Sequence, residues 1–278
     1  MLDAFAFCAE LVRNNDRDAF VASLFAPAES RGALHALYAF NIEVTRVRDV
    51  AHAALPGEIR LQWWTDVLAG ERAGEAHANP VAAALLAAIE RHDLPVAVLL
   101  ELIEARRFDL YDDPMASVSD LKAYARSTSS GLFGLAARVL TSTTIESVAE
   151  HAGIASTIAG LLIAFPRHAA RGQLYVPADI LERHGVPLHD VFGGRSSAGL
   201  SAALAELRKV GRDGLAAIRE PIAAMVRAAI PAVLPLAVTG PLLDRLDRSE
   251  PFAPKQLSPL RRQWLIWRAS RNPQRITR

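Results

Sequence analysis

The chain has 278 residues, of which 51% are hydrophobic and 22% charged, so it can bury a sizeable core and a disordered chain is excluded. Lys and Arg number 31 against 30 Asp and Glu, for a formal net charge of +1, and no basic stripe stands out that would neutralise a run of phosphates. Nucleic acid is therefore not an expected partner. One cysteine, Cys8, excludes an intrachain disulfide and a multi-thiolate zinc site, and reads as a small core residue.

Helical spacing recurs along the chain and strand-like alternation is hard to find, which predicts an all-α protein forming a single domain over 1–278. The N-terminus has neither a signal peptide's charged and apolar regions nor an acid-poor, Arg/Ser-rich stretch. The expected location is cytoplasmic, with peripheral contact at the inner membrane left open. Asp16 or Asp18 caps a short helix ending at Pro27, and Ala28 to Asp49 follows as a long central helix with Leu34, Leu37, Tyr38 and Ile42 on one stripe. Leu55-Pro56-Gly57 reads as a break before Glu58 to Leu68, whose Ile59, Trp63 and Val67 recur every four residues. Asn79-Pro80 caps the helix Val81 to His92. Asp93-Leu94-Pro95 restarts a helix to about Leu110.

After the turn at Tyr111 to Pro114, Ser119 is the expected cap of a helix through Leu140. Ile145 to Phe165 forms another long helix, and Pro166 to Pro177 reads as irregular. Ala152 to Pro166 and Ala228 to Leu243 are the most apolar stretches; the first is too short to span a bilayer and prolines break the second, so both read as buried helices. A short helix from Pro177, an exposed loop at Gly193 to Ser197, and helices over Gly199 to Ala229, Pro231 to Leu246 and Leu257 to Ser270 complete the chain.

Chemical motifs are sparse. The histidines lack metal-ligand spacing, no phosphate loop or nucleophile elbow is present, and Glu43 and Asp49 do not share a helical face. The small-residue run Ser127 to Gly131 predicts close helix packing. Of the tryptophan pairs Trp63-Trp64 and Trp264, Trp267, one member each is expected at the surface.

Residues 17–49, with Asp109-Leu110, Asp120 to Tyr124, Ser130-Gly131 and the segment Arg171 to Pro177, resemble the squalene/phytoene synthase family. The resemblance implies an isoprenoid-synthase-like helical bundle with a central apolar cavity. Enzymes of that family hold Mg²⁺ and a prenyl diphosphate with two aspartate-rich motifs. Aligned on Ala36 to Phe40, the first motif falls on Thr45, Arg46, Val47, Arg48 and Asp49, retaining only its last acid. Aligned on Tyr175 to Pro177, the second falls on Ala164, Phe165, Pro166, Arg167 and His168, with neither acid. The polar Gln and Asn upstream of it fall on Thr157 and Gly160.

Pro27 to Arg31, Ala39 to Val44, Ile59 to Trp64, Arg91 to Leu94 and the Ala164, Pro166, His168 pattern are similar to a degenerate branch of the family that assists assembly of respiratory complex I. By this resemblance the chain is a bacterial, non-catalytic relative with complex I subunits or an apolar, isoprenoid ligand as partners. Glu43, Thr45, Asp49, Arg60, Arg167, His168, Arg171 and Tyr175 then line a vestigial pocket, with no cofactor. The alternatives are a prenyl diphosphate transferase, which alone would require Mg²⁺, and a lipid-binding protein.

Overall fold

A computed structural model describes residues 3–51, 53–141 and 144–277. Among the described residues there is no strand, and the one β-type pairing is an isolated bridge between Glu250 and Ala253. Helix α1 (Ala4–Asn15) ends at Asp16, whose carboxylate caps α2 (Arg17–Ser23) by accepting from the Ala19 amide at 3.0 Å. Helix α3 (Ala28–Thr45) is buried without interruption from Ala33 to Phe40 and is the central helix the sequence predicts. It stops short of Asp49, because Arg46 leaves helical geometry before α4 (Val47–Val50).

Helix α5 (Ala54–Leu68) runs through the predicted break at Pro56-Gly57. Pro56 lies in the first turn, where an amide has no helical acceptor to lose. The buried stripe is Leu61, Trp64, Val67 and Leu68, while Ile59, expected inside, is 64% exposed. Both phases fit a helix, and Trp64 rather than Trp63 takes the core position, edge-on to Phe40 at 5.0 Å between centroids. After α6 (Ala73–Ala78), Asn79 caps α7 (Pro80–His92), accepting from the Val81 and Ala82 amides at 2.9 and 3.0 Å as its sequence predicts. Helix α8 (Val96–Arg107) tightens into a 3₁₀ turn, Phe108–Leu110.

Helix α9 (Val118–Ala125) is capped by Ser117 rather than Ser119, and a π-helical turn, Arg126–Ser130, separates it from α10 (Gly131–Leu140). Helix α11 (Glu146–Ala170) continues through Pro166, its predicted end. A proline there forfeits the bond to the Leu162 carbonyl, but burial of Leu162, Phe165 and Ala169 keeps the helix docked on both sides of it. Short α12 (Ala178–Arg183) and α13 (Leu188–Phe192) lead to the exposed Gly193 to Ser197 loop, as expected. Helix α14 (Ala198–Ala217) ends earlier than predicted, followed by α15 (Arg219–Ala224). The proline-rich stretch divides into α16 (Ile230–Val233), a 3₁₀ segment Leu234–Val238 and α17 (Thr239–Leu246). Last is α18 (Pro259–Arg271), capped by Ser258.

The helices sort into two compact units, each drawn from three stretches of chain: Met1–Tyr111, Gly131–Glu146 and Met225–Pro235, and Asp112–Ser130, Ser147–Ala224 and Leu236–Arg278. In the first, α3 packs on α1, α7 and α10, and α10 packs on α16. In the second, α14 packs on α12 and α17, and Phe165 of α11 meets Phe252 with ring centroids 5.1 Å apart. Helix α11 and the stretch Arg227–Leu246 are long and apolar enough to cross a bilayer, yet 61% and 72% of their apolar windows are buried within the protein. That burial fits the core role predicted for both.

Candidate functional site

Four of the predicted pocket residues belong to the first unit. Glu43, half-buried near the end of α3, pairs with Arg60 of α5 at 3.6 Å. Thr45, two residues on and exposed, donates its hydroxyl to Asn41 Oδ1 at 3.4 Å. Where the chain turns from α3 into α4, Arg46 donates to Asn15 Oδ1 at 3.0 Å, and Arg48 donates to the Leu110 carbonyl at 2.7 Å. Asp49, exposed, stands in the first turn of α4, where a carboxylate is favoured by the helix dipole. Glu43 is thus engaged with a guanidinium, and Arg46 and Arg48, which precede the motif's one retained acid in sequence, are held by Asn15 and by the Leu110 carbonyl.

The other four lie in the second unit, where α11 ends and the chain reverses. The His168 carbonyl accepts the Arg171 and Gln173 amides at 3.0 and 2.9 Å, and Gly172, at φ 74°, makes the left-handed step between them. That turn swings buried Tyr175 back against His168, with ring centroids 4.6 Å apart, and towards Tyr124 at 6.1 Å. Arg167 and Arg171 point outward and are exposed. The segment from Arg171 is irregular as predicted, though it begins five residues later than Pro166. The Met115 amide donates to the Leu174 carbonyl at 2.9 Å and the Ala178 amide to the Met115 carbonyl at 2.8 Å, which fixes this segment.

The run Ser127 to Gly131 closes against α11 as its small side chains predict. Thr157 Oγ1 donates to Ser129 Oγ at 2.8 Å, and Ser130 Oγ donates to the Glu150 carbonyl at 3.1 Å. A Cβ on Gly153 would land on the Ser130 side-chain oxygen and backbone nitrogen, so glycine is required for this approach.

Mg²⁺ takes hard oxygen ligands, carboxylates above all. Among the described residues no group of three or more His, Cys, Asp or Glu side chains is arranged to hold a metal ion. With Glu43 tied to Arg60, and arginines or neutral residues at most of the motif positions, the residues present do not fit a Mg²⁺ diphosphate site. What the arginines can do is bind an anion, since a guanidinium presents a fork of donors to phosphate or carboxylate.

One exposed cluster escapes the sequence reading. Trp264 and Trp267 are both about half exposed, at 48% and 50%, where one buried member was expected, and they are joined by Leu260. Trp63 and Trp64 do divide as expected: Trp64 is 1% exposed, and Trp63 is partly exposed with its indole N–H donated to Glu75 at 2.8 Å.

The model of the squalene/phytoene synthase family matches residues 12–268. The NADH dehydrogenase (ubiquinone) complex I, assembly factor 6 of Rattus norvegicus is 34% identical over 190 residues, 68% of this chain and 57% of that protein. Its Homo sapiens counterpart is 33% identical over 186 residues, covering 66% and 56%. A phytoene synthase of Mycobacterium tuberculosis is 27% identical over 187 residues, covering 66% and 61%. The chain therefore spans less than two thirds of the length of these relatives. Among solved structures, a dehydrosqualene synthase in complex with ligand superposes with a TM-score of 0.83 at 18% identity, over 96% of this chain and 95% of that one. The squalene synthase HpnC from Alicyclobacillus acidocaldarius gives 0.67 at 22% identity, over 96% and 93%. These likenesses establish an isoprenoid-synthase-like, all-α fold.

Proposed function

The chain belongs to the squalene/phytoene synthase family, and from that premise we propose that it is a non-catalytic member that assists the assembly of respiratory complex I. The observation that carries this reading is the loss of acids at both aspartate-rich positions: Thr45 and Arg46 in the first, Ala164 and His168 in the second. Ionisation of a prenyl diphosphate needs its leaving group neutralised by metal; the lost carboxylates remove ligands for that metal, and Arg46 at an acid position, with Arg48 and Arg167 beside the others, repels it. The rat and human proteins named as complex I assembly factor 6 align at 34% and 33% identity, against 27% for the phytoene synthase, which supports the partner class.

In this reading Glu43, Thr45, Asp49 and Arg60 in the first unit, and Arg167, His168, Arg171 and Tyr175 in the second, are the residues at, beside or paired with the degraded motifs. A second reading rests on the exposed Arg167 and Arg171, whose forks suit a prenyl diphosphate bound without turnover.

The test combines two measurements. The gene is deleted in the source organism and complex I content and NADH:ubiquinone activity are compared before and after return of the wild-type gene. The purified chain is then incubated with farnesyl diphosphate with and without Mg²⁺, and both heat of binding and pyrophosphate release are followed. Loss and restoration of complex I with no pyrophosphate release is the expected result. Normal complex I in the deletion strain, or Mg²⁺-dependent pyrophosphate release, overturns it.

A further inference from the structure

Helix α18 docks on its own unit through Ile266 and Ala269, both fully buried, and turns an apolar face outward. Leu260 is 80% exposed, and Trp264 and Trp267 follow at i+4 and i+7, so the three form one stripe. Arg261 and Arg268 flank the stripe and Arg271 extends it. The Arg268 guanidinium carbon lies 4.3 Å from the centroid of a Trp264 ring, and that of Arg271 lies 5.9 Å from Trp267.

Charge along this last stretch of the chain is of one sign. Residues 251–278 contain seven Lys or Arg, at 255, 261, 262, 268, 271, 275 and 278, and no Asp or Glu. At the start of the helix lies a cavity of about 340 Å³ lined by Arg245, Arg248, Lys255 and Arg261, with Leu257 at its wall. Its one carboxylate, Asp244, is engaged by Arg212 at 3.3 Å. The balance of the cavity is strongly positive.

A shallow apolar ridge beside a basic cavity with room for a phosphate headgroup matches the layering of a bilayer surface. Tryptophan prefers the boundary between headgroups and acyl chains, leucine the acyl side, and clustered Lys and Arg the anionic phosphates. A single-stranded nucleic acid would instead need a basic groove tracking several phosphates with aromatic platforms along it, and here the aromatics share one short helix.

We propose that α18 and the basic cavity at its start form a docking face for anionic phospholipid membranes. Leu260, Trp264 and Trp267 enter the headgroup–acyl boundary, and a lipid phosphate sits among Arg245, Arg248, Lys255 and Arg261. The face belongs to one unit and does not depend on the complex I reading.

The full chain is sedimented with vesicles of phosphatidylcholine alone and of phosphatidylcholine with phosphatidylglycerol, at low and high salt, and its tryptophan emission is read with brominated lipids as quenchers. Selective binding to the anionic vesicles, weakened by salt and accompanied by quenching, is expected. Trp264→Ala with Trp267→Ala lowers affinity by about ten-fold through lost apolar burial. Arg248→Gln with Lys255→Gln lowers it by roughly 30-fold, as expected for two charges near an anionic surface. All four side chains lie outside the buried core, and unfolding midpoints check that each variant folds; the second variant tests the proposal if the first does not.

Absence of binding, equal binding to both vesicle types, or unchanged binding in the folded variants overturns it. Displacement from vesicles by millimolar inorganic phosphate would assign the cavity to a soluble anion instead and also overturn it. So would conversion of a dimer to a monomer by the tryptophan substitutions without lipid binding, which would give the face to a second copy.

Discussion

Arg48 donates from Nη1 to the backbone carbonyl oxygen of Leu110 at 2.7 Å, joining the turn after α3 to the 3₁₀ turn that ends α8. The arginine lies within the stretch that aligns with the first aspartate-rich motif, and its guanidinium serves the fold by satisfying a carbonyl at a helix end. Because the bond is charge-assisted and half-buried, Arg48→Ala is expected to cost about 1.5–3 kcal/mol, with Arg48→Lys recovering part of it. Urea unfolding at neutral pH measures this. An unchanged midpoint would show that this bond does not help hold the two turns together.

Two glycines on α11, seven residues apart, should respond in opposite directions. Gly153 faces the backbone of Ser130, which cannot yield as a flexible side-chain tip would, so Gly153→Ala must push the π turn away from the helix. A destabilisation of about 1–3 kcal/mol is expected from that overpacking. Gly160 has nothing within 4 Å of its would-be Cβ, and there alanine should stabilise by about 0.5–1 kcal/mol through helix propensity alone. Equal effects at the two sites would contradict the close approach of the Ser127 to Gly131 turn to α11.

Local signals explain which parts of this structure the sequence reveals. Asn79-Pro80 is a complete cap in two residues, and its helix begins where expected. The packing of Ser127 to Gly131 follows from side-chain size. Errors occur where tertiary contacts choose between equivalent local options. On α5 the apolar spacing allows two phases, and contact of Trp64 with Phe40 selects the one that leaves Ile59 exposed. At Pro166 burial on both sides carries the helix past a residue that normally ends one. The motif substitutions at Thr45 to Asp49 and Ala164 to His168 are readable by alignment, but the pairing of Glu43 with Arg60 is not, because it depends on how α3 and α5 cross. The α18 face was hidden by an overall charge near zero: its basic excess is confined to the last tenth of the chain.

Cys8 is fully buried in α1, and its thiol is pushed up to about 12 by burial, with the carboxylates of Asp3 and Glu43 adding to the shift. Thiolate is the reactive form, so at neutral pH the native protein should react with an aromatic disulfide reagent only through opening of the fold. The expected outcome is one thiol titrated in denaturant and a far slower reaction without it. Rapid stoichiometric labelling of native protein would show that α1 opens locally.

His35 supplies a pH dependence whose sign follows from its contacts. Buried in α3, it stacks on Phe20 with ring centroids 5.5 Å apart, and its Nε2 lies 2.8 Å from Ser23 Oγ. The Ser23 hydroxyl already donates to the Phe20 carbonyl at 2.7 Å, so Nε2 carries the hydrogen and Ser23 accepts it, which the neutral ring satisfies. Burial first, and the Arg31 charge second, lower the pKa below its ordinary 6.5. His92 is shifted the same way by burial and by Arg91. Since the unfolded chain binds these protons more readily than the folded one, stability should be flat above about pH 6.5 and fall as pH drops through the depressed folded values. Chemical unfolding across that range should show the loss, and His35→Gln, which keeps a side-chain donor near Ser23 but cannot titrate, should reduce the slope without removing the part due to His92. An identical slope in wild type and variant would mean that His35 protonates as easily in the fold as in the unfolded chain, contrary to its buried, arginine-facing position.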